Sequence, residues 1–179
     1  MLGVAAGGRA EPGVPPEVQL PLLLKVMSFD RALARRAGGG IRVAVLYQRL
    51  YPESADCAQA LLAAAAHTEL KTVSGIPFRF EAYALDEGGL TRLDSLQAEV
   101  VYVAPVRGLD VRALSRVCRA RGWLSLAALP EYLAEGLSVA IDRRGDRPLI
   151  AVNLEAARAE GAELSSRLLA LRVVKVIRP

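Results

Sequence analysis

Apolar and polar positions near the C-terminus form two short strand-like runs. Residues 137–141 and 148–152 are apolar and rich in β-branched side chains, and they flank the polar stretch 143–146, which contains Gly145. Glycine readily takes the positive-φ position of a tight turn. The pattern therefore predicts a β-hairpin with a solvent-exposed tip.

Helix signals follow the hairpin. Asn153 stands before residues 154–160, where its side-chain oxygen is expected to accept a hydrogen bond from the first helical turn, and Gly161 ends that helix. Beyond it, apolar residues recur every three or four positions, which predicts a second helix from about Ser165 to the end of the chain or close to it. These residues are Leu164, Leu168, Leu171 and Val174.

Upstream, helix-like and strand-like segments alternate. The predicted helices are 22–36, 54–66 with Ser54 as its cap, a short one near 90–96, and 110–121; the predicted strands are 41–47, 76–85, 100–103 and 124–127. Alternation at this pitch predicts an α/β fold, a three-layer sandwich with a mostly parallel sheet and a C-terminal β-hairpin plus helices. We expect strand 76–85 at one edge of the sheet and the hairpin at the other.

The two cysteines test this topology. Cys57 and Cys118 fall on the helices that follow the first and third strands. If the second and third strands lie on either side of the first, right-handed crossovers put these helices on opposite faces of the sheet. A disulfide requires Cα atoms within about 7 Å, whereas adjacent layers are roughly 10 Å apart. The topology therefore predicts two free, buried thiols.

Composition narrows the class of protein. The chain has 179 residues, of which 53% are hydrophobic, enough for one domain with a substantial core. The net charge of +4 comes from 23 basic and 19 acidic residues, but the arginines are scattered and aromatic residues are few, so no nucleic-acid partner is expected. No run approaches the roughly 18 apolar residues of a membrane span, so no direct membrane insertion is expected.

The N-terminus resembles the tail of a signal peptide. Small residues occupy Gly8 and Ala10, as cleavage requires, although a charged start and a full apolar region are missing. Residues 11–21 hold four of the ten prolines and predict extended backbone. The residues alone leave two alternatives open, a signal peptide whose start was trimmed and a chance likeness; residues 22–179 are assigned to a single α/β domain.

Candidate chemistry is sparse. His67 is the only histidine, and its place at the end of a predicted helix favours a C-terminal cap over a catalytic role. Cys57 and Cys118 form no Cys-x-x-Cys motif, and the glycines 38–40 precede a strand instead of joining a strand to a helix, as a phosphate-binding loop would. The sequence thus predicts no catalytic residue, no metal site and no cofactor.

The C-terminal half resembles the YfiR-like (YfiR/HmsC) family of periplasmic regulators. The resemblance rests on a short helix ending in Gly136, the hairpin, Val152-Asn153, Gly161 and the block Leu164-Ser165-Ser166-Arg167-Leu168-Leu169, in that order and at matching spacing. One departure lies before the hairpin, where the family has paired glycines followed by an apolar pair and this chain has Glu135-Gly136-Leu137-Ser138. The N-terminal half matches only in the order of its elements.

The resemblance implies a non-enzymatic, exported periplasmic protein, and it thereby assigns residues 1–21 to a signal-peptide remnant and an extended N-terminus. Such a protein would restrain a membrane-anchored diguanylate cyclase, and so cyclic-di-GMP signalling and biofilm formation, by contact with the periplasmic region of that enzyme. A homodimer and a small-molecule effector are both compatible with this role. The candidate partner- or ligand-binding residues are Asn153, Ser165, Ser166 and Arg167, although helix capping also explains the Asn and the two Ser.

A different class of function stays open. An α/β module of this kind, akin to part of a solute-binding protein, would bind a small ligand in the crevice at the carboxyl ends of the parallel strands. An enzyme ranks third, because the sequence offers no catalytic constellation.

Overall fold

The computed structural model describes residues 13–85 and 89–178 of the chain. The strands are β1 Ile41–Tyr47, β2 Thr72–Val73, β3 Ile76–Ala84, β4 Val100–Val103, β5 Leu124–Ala127, β6 Val139–Arg144, β7 Arg147–Asn153 and β8 Val174–Ile177. The helices are α1 Pro16–Ser28, α2 Arg31–Arg36, α3 Pro52–His67, α4 Val111–Arg121, α5 Leu154–Ala159 and α6 Ser166–Leu169, with 3₁₀ segments at Gly89–Ser95 and Pro130–Leu133. The strands form one sheet in the order β2-β3-β1-β4-β5-β6-β7-β8.

The predicted α/β architecture is confirmed. β3, β1, β4, β5 and β6 are mutually parallel, and β1 has β3 on one side and β4 on the other. Because the chain moves in opposite directions from β1 to β3 and from β4 to β5, right-handed crossovers place α3 and α4 on opposite faces. α1 packs against α3. The sheet therefore lies between a layer of α1 and α3 and a layer that contains α4.

The hairpin is confirmed, but both predicted sheet edges are wrong, because the short β2 pairs outside β3 and β8 lies outside the hairpin. β6 and β7 pair antiparallel around Gly145, whose φ is +61°. The chain then returns, and β8 pairs parallel with β7 as the outermost strand. The predicted second helix is accordingly short, because α6 ends at Leu169 and Val174 lies in β8. Leu168 is fully buried, whereas residues 173–177, four of which are β-branched, favour a strand over a continued helix.

Two predictions at the N-terminal side are also wrong. Residues 16–21 are helical, because Pro16 occupies the first turn of α1, where its missing N–H is no loss. The predicted helix 22–36 is two helices, because Asp30 interrupts it and accepts a hydrogen bond from Ala32 N (2.9 Å) as the N-cap of α2. The predicted signal-peptide remnant lies outside the described residues. Within those residues no helix has the length and apolar character needed to cross a membrane.

Ser54 does not cap α3. That helix begins two residues earlier, at Pro52, and the Ser54 hydroxyl instead accepts a hydrogen bond from Gln48 N (2.9 Å). The bond closes the connection between β1 and α3. A proline at the first helical turn was the better start signal.

A buried polar contact joins α1, α3 and the sheet. Tyr102 on β4 donates its hydroxyl to Gln19 Oε1 (3.1 Å) and lies 3.5 Å from Cys57 Sγ, while Gln19 Nε2 donates to Val14 O (2.8 Å). Gln19 and Tyr102 are completely buried. Cys118 lies on α4, and both cysteines are free and buried, as the topology predicts.

Leu168→Ala is expected to lower the free energy of unfolding by about 2 to 5 kcal/mol, because the side chain is fully buried and leaves a cavity. Urea melts of wild type and variant measure this. Leu50→Ala is the matched control: the side chain is 88% exposed, and its loss should cost less than about 0.5 kcal/mol. Equal costs for the two variants would contradict the burial of Leu168.

Thiol titration of the denatured, unreduced protein should count two thiols per chain. The reason is that Cys57 and Cys118 lie on helices on opposite faces of the sheet. A count of zero in a monomer would contradict the strand order.

Candidate functional site

The four predicted site residues do not form one constellation. Asn153 Oδ1 accepts from Ala156 N (3.0 Å) at the start of α5, and Asn153 Nδ2 donates to Leu133 O (3.0 Å). Ser165 Oγ accepts from Leu168 N (3.4 Å) at the start of α6. Both side chains are buried, whereas Ser166 and Arg167 are exposed. Capping therefore occupies Asn153 and Ser165, and the role of all four residues in partner binding stays a prediction.

A cleft of about 310 Å³ opens between α4 and the beginning of α5, and we call it the arginine cleft. It is lined by Arg112, Ser115, Arg116, Arg119, Ala134, Glu135, Gly136, Asn153, Glu155 and Ala156. The three arginines are three and four positions apart on α4, so they lie along one face of that helix. Asn153 is the one predicted site residue that lines it.

Gly136 fixes the shape of this cleft. Its φ is +99°, and a Cβ at this position would lie 2.8 Å from both Arg119 Nη2 and Ser115 Oγ. Only glycine therefore allows the guanidinium to lie this close to the backbone. Residues 135–138 differ from the family pattern but include Gly136, the glycine that this close approach requires.

The cleft is suited to anions, but its charge is partly balanced. Arg112 Nε lies 2.5 Å from Glu135 Oε2, and Arg116 Nη2 lies 3.8 Å from Asp110 Oδ2. Three of these side chains are largely exposed and Glu135 is 39% exposed, so each pair contributes little to stability. A carboxylate or phosphate would compete with Glu135 for Arg112.

Glu160 is a buried carboxylate that the sequence patterns did not reveal. Its two oxygens accept from Ser125 N (2.9 Å), Ser125 Oγ (2.6 Å) and Ser138 Oγ (2.5 Å), and its side chain is not exposed. It thereby joins the C-terminal end of α5 to β5 and to the residue before β6. Burial raises the pKa of Glu160 to about 7, because desolvation outweighs the serine hydrogen bonds and the nearby Arg119 charge.

The remaining candidate groups are the two thiols and one histidine. Burial raises the pKa of Cys57 to about 11, and burial together with the Glu160 charge raises the pKa of Cys118, so both thiols are protonated at neutral pH. His67 is exposed at the end of α3, with Nδ1 2.7 Å from Ala63 O. In the described part of the chain, no group of three or more His, Cys, Asp or Glu is placed to hold a metal ion.

The crevice at the carboxyl ends of the strands is bridged by a side chain. Gln48, just after β1, accepts from Arg107 N (2.8 Å) and donates to Arg107 O (3.0 Å), joining the loops after β1 and β4. Tyr132 accepts from Val106 N (2.9 Å) in the same region, and the Arg107 guanidinium lies 5.0 Å from the Tyr51 ring centroid. A ligand at this switch point would have to displace Gln48.

The sequence contained a signal for the arginine cleft but none for Glu160. Arginines at spacings of three and four on α4 predict a basic helix face, although not what faces it. Glu160 occupies an ordinary position at the end of an amphipathic helix. Its burial depends on two serines that are 35 and 22 positions away.

Comparison with known proteins identifies a family and a fold. The family described as YfiR/HmsC-like matches residues 31–172. No curated protein matches the chain. A structure of a conserved domain protein from Vibrio cholerae O1 biovar El Tor is similar with a TM-score of 0.60 and 11% identity, over 90% of this chain and 60% of that one.

A second solved structure is also similar. It is an ABC domain in complex with L-Trp from Streptococcus pneumonia, with a TM-score of 0.59 and 11% identity, over 91% of this chain and 60% of that one. The chain therefore spans less than two thirds of either structure. At this identity both structures support the fold alone.

Glu160→Gln should change the pH dependence of stability. Because the folded-state pKa of about 7 lies above the unfolded value, the folded protein takes up a proton as the pH falls through 7. On going from about pH 8 to about pH 5, this group should add on the order of 2 kcal/mol to the free energy of unfolding of the wild type, and nothing to that of the variant.

Urea melts of both proteins at several pH values measure this effect. Glu155→Gln, on the exposed side of the same helix, is the matched control for the loss of one negative charge. A difference between wild type and Glu160→Gln that does not vary with pH would show that burial does not control the ionisation of Glu160.

Proposed function

The chain belongs to the YfiR/HmsC-like family, and we propose that it restrains a membrane-anchored diguanylate cyclase by direct contact with the periplasmic region of that enzyme. The family is one of periplasmic, non-catalytic regulators. The observation that carries the proposal is the match over residues 31–172, which includes α2 and every strand except β8.

The chemistry of the chain supports a binding role over catalysis. Both thiols are buried with raised pKa values, and His67 lies at an exposed helix end away from either. The exposed functional side chains are instead mainly arginines, which favour recognition of carboxylates on a partner. Control of cyclic-di-GMP synthesis, and through it of biofilm formation, would follow from such recognition.

Restraint requires preferential binding to one state of the cyclase. A regulator can shift the enzyme toward its inactive state only by as much as its affinities for the two states differ. A tenfold loss of active enzyme corresponds to a difference of about 1.4 kcal/mol. One or two additional charged hydrogen bonds in the inactive complex are sufficient for that. This mechanism needs no cofactor or metal. A homodimer or a bound effector would alter only the surface that the chain presents to the cyclase.

A small-ligand-binding role is the second candidate. The fold is shared with a domain whose structure was determined with L-Trp, and the arginine cleft, at about 310 Å³, is at the lower end of ligand-pocket sizes. An amino-acid carboxylate would match its guanidinium groups. Against this role, Gln48 bridges the crevice that such folds commonly use.

The direct test uses the cyclase in its membrane. A diguanylate cyclase with a periplasmic region, taken from the same genome and reconstituted in vesicles with that region outward, is supplied with GTP, and cyclic-di-GMP formation is measured with and without the chain. We expect the rate to fall at least tenfold at saturating chain. His67→Ala, which removes an exposed side chain, should restrain the cyclase equally well.

Two results would contradict the proposal. One is an unchanged rate with every such cyclase of the genome, at chain concentrations well above those expected in a periplasm. The other is a loss of restraint in a folded His67→Ala variant, which would point to chemistry at that histidine. Saturable L-Trp binding by calorimetry, without any effect on a cyclase, would favour the second candidate.

A further inference from the structure

A crevice of about 190 Å³ at the β8 edge concentrates unbalanced positive charge. It is lined by Arg144, Arg147, Pro148, Leu149, Arg172, Val173, Val174 and Lys175. Four of these residues are cationic and exposed, and none of the lining residues is acidic. The nearby Asp146 faces Arg143 instead, at 3.7 Å. The arginine cleft, by contrast, contains two glutamates of its own.

These four cations form a local excess of positive charge. Their formal charge of four times +1 equals the net charge of +4 of the whole chain. The rest of the chain is therefore neutral on balance. A potential of this kind attracts negatively charged partners and accelerates their association.

The same crevice borders an open strand edge. Ile150 N donates to Val173 O (2.7 Å), and the register pairs Ile150 with Val174. Since successive residues of a strand turn their N–H and C=O groups to opposite sides, residues 173, 175 and 177 face β7, and Val174 and Val176 face outward. Val174 N donates to Leu171 O in the preceding turn.

Val176 thus presents its backbone donor and acceptor at the edge. Among the described residues no strand pairs with that side of β8. The side chains of Val173 and Val176 are each 42% exposed beside it. Backbone groups, small apolar side chains and cations together match an extended peptide that carries alternating apolar and acidic residues.

We propose that the basic edge, defined as β8 with Arg144, Arg147, Arg172 and Lys175, docks an acidic, extended segment of a protein partner by β-strand addition. Taking that partner to be the periplasmic region of a diguanylate cyclase rests on the proposed function above. The incoming strand forms main-chain hydrogen bonds with Val176, and its carboxylates bind the four cations.

Other occupants fit less well. Two copies of β8 paired about a twofold axis would bring like charges opposite one another, which is destabilising. A lipid phosphate would satisfy the cations but lacks the regularly spaced backbone donors and acceptors that pair with an open strand edge. Cations on an edge strand also protect against indiscriminate pairing, and for that reason they select a strand that carries carboxylates.

The first experiment needs no cyclase. Fluorescence anisotropy measures binding of an octapeptide of alternating Glu and Val, with alternating Lys and Val as the reference peptide. Wild type should bind the acidic peptide and not the basic one. The double variant Arg172→Glu/Lys175→Glu should weaken binding at least tenfold, whereas Arg31→Glu/Lys71→Glu, an equal charge change at exposed positions away from β8, should leave it within twofold.

Val176→Pro tests the backbone part of the proposal. Proline removes the outward N–H of Val176 without removing a donor from the β7 pairing, so the melting temperature should change little while peptide binding falls at least tenfold. If the Val176→Pro variant does not fold, the comparison of the two charge-reversal variants decides whether the basic edge binds the peptide. Binding of phosphatidylglycerol vesicles in place of the peptide would overturn the proposal. So would self-association that depends on β8, or a wild-type protein that binds neither peptide.

The second experiment uses the periplasmic region of the cyclase that the chain restrains. Tenfold or greater weakening by Arg172→Glu/Lys175→Glu, with unchanged binding of the Arg31→Glu/Lys71→Glu control, supports the basic edge as the docking surface. Equal binding of both variants overturns the basic edge but leaves the proposed function intact. If no cyclase region binds wild type, the proposed function fails, and the peptide experiment alone decides whether the basic edge recognises an acidic strand.

Discussion

The reversal of the chain between β6 and β7 is the constraint on which the C-terminal half depends. The turn at Gly145 makes β7 antiparallel to its neighbour, so β7 ends beside the start of β6, where Asn153 N donates to Ser138 O (2.8 Å). Asn153 then begins α5, and Glu160 at the end of that helix reaches Ser125 and Ser138. With a parallel β7, neither the buried carboxylate network nor the parallel return of β8 would form.

The elements that depend on residues close together in the chain could be predicted from the sequence. The hairpin, the Asn153 cap and the order of strands around β1 follow from alternation, capping chemistry and crossover handedness. Failures occurred where one signal had two physical interpretations. Prolines 15 and 16 suggested extended backbone but start α1. Leu164 to Val174 had helical spacing, although Val174–Ile177, three of whose four residues are β-branched, form β8. There, pairing with β7 overrides the helical spacing.

The site was less predictable because its contacts are long-range. Glu160 reaches serines on two other elements, and Gly136 is required by Arg119 and Ser115 of α4. Arg172 and Lys175 belong to the basic edge only because β8 joins the sheet beside the hairpin. Conversely, Asn153 and Ser165 stood out in the sequence because capping residues are recognisable locally, and capping is what they do.

The structure thus separates two regions of the chain. The Glu160 network holds the C-terminal elements together, and the basic edge beyond it leaves backbone and charge available to a partner. Hydrogen–deuterium exchange of the chain, alone and with the periplasmic region of a restrained cyclase, tests this account most directly. We expect slower exchange of the Val176 amide in the complex, with little change in α4. Protection confined to α4 and the arginine cleft, with β8 unchanged, would contradict it.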